Sequence, residues 1–99
     1  MERLRLNVKD LPKPLTPRQF CQAYFGLEGL PPEEMAEAET ESGYRKKCVK
    51  LLAKVLNMTE RSVRYWGPGL NFEKMPEHYK ASLGYALSEM RNAAKRQSA

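Results

Sequence analysis

Histidine and cysteine are nearly absent from this 99-residue chain. His78 stands alone, and Cys21 and Cys48 lie far apart, outside any C-x-x-C. One imidazole and two distant thiols make no metal site. The thiols read as buried and free in a reducing cytosol, a disulfide being the lesser alternative. No run approaches the roughly 20 apolar residues of a membrane span. The opening Met1-Glu2-Arg3-Leu4-Arg5 has no apolar signal core, so a cytoplasmic protein away from membranes is expected. A phosphate-cradling glycine loop is missing too, since Gly67-Pro68-Gly69 reads as a helix stop. The glutamates have no partner nucleophile. The expectation is a non-enzyme without cofactors.

What is present is charge, unevenly placed. Seventeen basic residues against twelve acidic ones leave a net charge of +5, which points only weakly to an anionic partner. Position says more than the total. Between Arg18 and Arg45 there is no lysine or arginine, and Glu28, Glu33, Glu34, Glu37, Glu39 and Glu41 gather there. From 42 to 66, Arg45, Lys46, Lys47, Lys50, Lys54, Arg61 and Arg64 face Glu60 alone, a local net of +6. The acidic stretch reads as a solvated face or a surface for a protein partner.

The length fits one all-α domain of four to five helices. Residues 1–15 read as an extended N-terminal arm: Leu4, Leu6 and Val8 alternate with polar neighbours, and Pro12 and Pro14 forbid a helix. Residues 16–96 form the helical domain and 97–99 a frayed tail. Thr16-Pro17 opens a helix to about Phe25, stopped by Gly26. Pro31-Pro32 opens an acid-rich second segment, broken at Ser42-Gly43, where Ser42 is placed to cap the next helix. From Tyr44 to Leu56, the residues Tyr44, Cys48, Leu51, Leu52, Val55 and Leu56 share one face, and Lys46, Lys47, Lys50 and Lys54 gather opposite. Thr59 caps a further helix over 60–66. After a loop that tucks in Leu70 and Phe72, Pro76 starts the last one.

Residues 49–68, Val-Lys-Leu-Leu-Ala-Lys-Val-Leu-Asn-Met-Thr-Glu-Arg-Ser-Val-Arg-Tyr-Trp-Gly-Pro, resemble the helix-turn-helix unit of DNA-binding proteins. Ala53 is the small residue where two steeply crossing helices touch. Asn57 stands where the turn needs positive φ, and Val63 and Trp66 face inward. The resemblance implies a unit over 44–66 that binds double-stranded DNA, most simply as a sequence-specific transcriptional regulator. Glu60, Arg61, Arg64 and Tyr65 would then meet base edges, and Thr59, Lys46, Lys47, Lys50 and Lys54 the backbone. Ser-Val-Arg-Tyr-Trp is also similar to the second helix of the mercury-resistance-regulator type, but 67–75 is too short for that type's wing, and no subfamily is assigned.

The last helix places Tyr79, Leu83, Leu87 and Met90 on one face, with Gly84 among them. Glycine in mid-helix implies a close neighbour, either the chain's own core or a second subunit. The second option makes these five residues a homodimer interface. The rival to DNA binding is a protein-interaction or assembly module (adaptor, recombination or DNA-packaging accessory) that uses the acidic segment and this helix.

Overall fold

A computed structural model describes residues 12–98, and within them every regular element is a helix. These are α1 (Pro17–Tyr24), α2 (Pro32–Glu39), α3 (Tyr44–Leu56), α4 (Glu60–Arg64) and α5 (His78–Ser98). None is long and apolar enough to cross a membrane. The alternation expected over residues 3–8 lies outside the described residues.

Local chemistry accounts for most helix ends. Thr16 caps α1 in a capping box: its hydroxyl accepts from the Gln19 N–H at 3.1 Å, and the Gln19 side chain accepts from the Thr16 N–H at 3.1 Å. Ser42 does not cap α3. The cap is Gly43 at φ 85°, because the turn closed by the Tyr44 N–H on the Glu41 carbonyl needs a left-handed residue there. One further boundary differs from expectation. α5 starts at His78, not Pro76, since Tyr79 and Lys80 bond back three residues to Pro76 and Glu77 in a tighter turn. Its backbone is helical to Ser98.

α3 is the central element and touches α1, α2, α4 and α5. Its expected stripe is buried at Tyr44, Cys48, Leu51 and Leu52, and half-buried at Val55 and Leu56. Val49 and Ala53 are buried as well, so α3 is covered on more than one side. Phe20 of α1, Val63 of α4, Phe72 of the following loop and Leu83 of α5 meet it with at most 2% exposure. Fully burying each such side chain stabilises by about 1.5–3 kcal/mol.

The face of α5 expected to pair with a second subunit is used within the chain. Leu83, Gly84 and Leu87 are buried, and Tyr79 and Met90 pack half-buried against the same core. Gly84 is small because the chain crosses it: a Cβ there would overlap the Lys13 carbonyl oxygen. The crossing segment is pinned where the Leu15 N–H donates to the Lys80 carbonyl at 3.0 Å. Gly84→Ala therefore forces 13–15 off α5, an overpacking cost of about 1–3 kcal/mol. Alanine's helix advantage of about 1 kcal/mol offsets only part of that. Urea unfolding should show a lower midpoint for this variant, and a midpoint at or above wild type would contradict the crossing.

Candidate nucleic-acid interface

The candidate surface is built on α3, the three residues 57–59 and α4. α3 ends because Asn57 adopts φ 56°, ψ 53°, a conformation that asparagine tolerates better than other side-chain-bearing residues. The Met58 N–H then reaches back to the Ala53 carbonyl at 2.9 Å and the Asn57 N–H to Lys54 at 3.3 Å, which satisfies two of the four carbonyls in the last turn of α3. Thr59 starts α4. Its hydroxyl accepts from the Ser62 N–H at 3.1 Å and donates to the Ser62 Oγ at 2.9 Å. That hydroxyl, expected on a phosphate, is therefore engaged within the chain.

α4 is shorter than the 60–66 expected, because Trp66 and Gly67 bond back three residues, to Val63 and Arg64, and tighten its end. Val63 (0% exposed) and Trp66 (7%) hold it to the core. Ala53, also buried, lies on α3, which α4 packs against. The opposite face is open: Arg61 and Arg64 are exposed, and Tyr65 is 69% exposed. Arg64 Nη2 meets Glu60 Oε1 at 3.1 Å one turn back, and the Arg61 guanidinium stands 6.0 Å from the Tyr65 ring centroid. On α3, Lys46, Lys47, Lys50 and Lys54 are all exposed, within about 100° of helical arc. They have no ion-pair partner among the described residues.

Two functional-looking residues were misjudged from sequence. Arg45, counted with the basic tract, is half-buried. Its Nη2 donates to the Gly67 carbonyl at 2.5 Å, its Nε approaches the Gly69 carbonyl at 3.4 Å, and its guanidinium lies 5.3 Å from the Phe72 centroid. The signal was available, since Arg45 lies about 180° around α3 from Lys54. Glu39, counted with the solvated acidic face, is buried. Arg18 clasps it with two bonds, at 2.7 and 3.0 Å, Gln22 adds a third at 3.0 Å, and Arg18 Nη1 continues to Asn71 at 3.2 Å. Nothing in the spacing of 18 and 39 announces that pair.

Cys21 and Cys48 are free and buried. Hydrogen bonding to Cys48, reinforced by burial, pushes the Cys21 thiol far up, so that thiol stays neutral. The neighbouring Tyr44 hydroxyl is buried with no hydrogen-bond partner among the described residues, and desolvation pushes its pKa up as well. This cluster is part of the core and not of the exposed surface.

No family model, curated protein or solved structure matches the chain.

The Glu39 pair has a pH signature. Hydrogen bonding from Arg18 holds the Glu39 carboxyl below its ordinary range despite burial. A carboxyl depressed in the folded state contributes stability that is present above its unfolded pKa and lost as pH falls through the folded value. Glu39→Gln should thus destabilise the chain at pH 7 by about 1–2 kcal/mol, a figure limited by the exposure of Arg18. The gap to wild type should close on acidification. Denaturation midpoints followed as the pH is lowered from 7 through the ordinary carboxyl range would contradict this if the gap stayed constant.

Proposed function

We propose that the chain binds duplex DNA as a small sequence-specific regulator, reading the major groove with residues 60–66. The observation that carries this is the division of faces: Ala53, Val63 and Trp66 are inside, Arg61, Arg64 and Tyr65 are outside, and the four lysines are open on the preceding helix. In this reading Arg61 and Arg64 bond guanine edges, each worth about 1–3 kcal/mol of discrimination, and Glu60 accepts from a cytosine amino group. Tyr65 adds an apolar contact, and Lys46, Lys47, Lys50 and Lys54 hold phosphates. Thr59 sets the entry into α4. The assembly-module alternative has less support, because the apolar face of α5 and Glu39 are both used inside the chain.

The deciding experiment is binding to random duplex across a salt series. Phosphate neutralisation makes log affinity fall linearly with log salt, by about 0.9 per contact. Lys50→Ala and Lys54→Ala should each reduce that slope by about one and weaken all sequences alike. Arg61→Ala or Arg64→Ala should cost about 1–3 kcal/mol on a duplex selected from a random library and relax one position of it. Absence of binding to any duplex at low salt overturns the proposal. Equal, sequence-blind losses for all four variants would leave a DNA binder that does not read bases.

A further inference from the structure

α4 is only five residues long, too short to hold its own direction, so whatever fixes its two ends fixes the surface it presents. At the first end the Thr59 cap does so. At the other, the chain turns at Gly67, where φ is 131°, and runs through 67–77 before entering α5. The Lys74 N–H closes this loop on the Trp66 carbonyl at 2.9 Å. Arg45 enters from the first turn of α3, with Gly67 and Gly69 as acceptors and the Phe72 ring beside it. Phe72 is itself 2% exposed. The guanidinium thus joins the start of α3 to the segment that ends α4, and its donors are directed at backbone carbonyls.

We propose that Arg45 is a positioning residue: it sets the orientation of the C-terminal end of α4, and with it the reach of Arg64 and Tyr65, and it touches no phosphate itself. This rests on the DNA-reading role proposed above. A planar fork with donors in fixed directions is needed, because two carbonyls two residues apart must be met at once over an aromatic ring. Lysine, a single ammonium on a flexible stem, carries the same charge without that geometry.

Arg45→Lys separates the two roles because it preserves the electrostatics. The probes are a duplex selected by the wild-type chain from a random library and a scrambled duplex, each titrated across a salt series. On the selected duplex, affinity should fall about tenfold, the order of one charge-assisted hydrogen bond. On the scrambled duplex it should not change, and the salt slope should match wild type. Amide exchange at Lys74, measured without DNA, should accelerate. Arg45→Gln should behave in the same way, again with no change of slope. If Arg45→Lys binds the selected duplex as wild type does, or if Arg45→Gln lowers the salt slope by about one, the positioning role is overturned and DNA reading stands. A wild-type chain that binds no duplex overturns both, even if exchange at Lys74 confirms the clasp.

Discussion

Covering α3 on more than one side is the constraint from which the other elements take their places. In a chain of under 100 residues there is room for one core only, and much of the apolar surface available to it lies along α3. Leu52, fully buried at its middle, cannot be covered by a single neighbour. α1 and α5 meet each other as well as α3, α2 packs on α3 and is tied to α1 through Glu39, and α4 packs on α3 alone. α4 is therefore a small element laid on a large one: Val63 and Trp66 fix it there and its far side stays open. The exposed face of the candidate interface follows from how the core is filled.

The polar groups drawn inside by that packing are dealt with in different ways. Glu39 is ionised and buried, a position that costs several kcal/mol unless the charge is paired and hydrogen-bonded. Arg18 and Gln22 provide three bonds, and the half-open position of Arg18 lets its guanidinium keep some water. The same arginine continues to Asn71, so the α1–α2 junction is joined to the loop that follows α4. Around Tyr44 the solution is neutrality. The two thiols pack as small apolar groups, and burial beside them keeps the Tyr44 hydroxyl protonated.

Features set by neighbours in the chain were legible in the sequence. The Tyr44–Leu56 helix, the left-handed Asn57, the Thr16 and Thr59 caps and the inward Val63 and Trp66 each follow from periodicity or from one residue's backbone preference. Gly43 shows the limit. Ser42 is the better capping side chain, but the turn needs positive φ at the next position, and the need for that backbone shape decided where α3 starts. Features set by distant partners were not legible. Arg18 and Glu39 are 21 residues apart, and Arg45 and Gly67 are 22 apart. Whether Gly84 faced its own chain or another copy turned on the path of Lys13, which no local pattern reveals.

These distinctions change how the local charge of +6 between 42 and 66 should be counted. Arg64 is paired with Glu60, but an exposed pair one helical turn apart is worth only about 0.3–0.5 kcal/mol. A bidentate contact to guanine, at about 1–3 kcal/mol, outweighs that pair, so Arg64 can exchange its carboxylate for a base at little cost. Arg61 lies against Tyr65, and both are exposed, so moving it forfeits about 0.5–1 kcal/mol. Arg45 differs in kind. Pulling it outward abandons two carbonyls and an aromatic contact together, and hydrogen bonds to a charged group contribute about 1.5–3 kcal/mol. A phosphate contact returns too little to offset that loss in water. The mobile positive charge of this segment therefore resides on the four lysines of α3 and the two arginines of α4, with Arg45 as part of the frame that holds them.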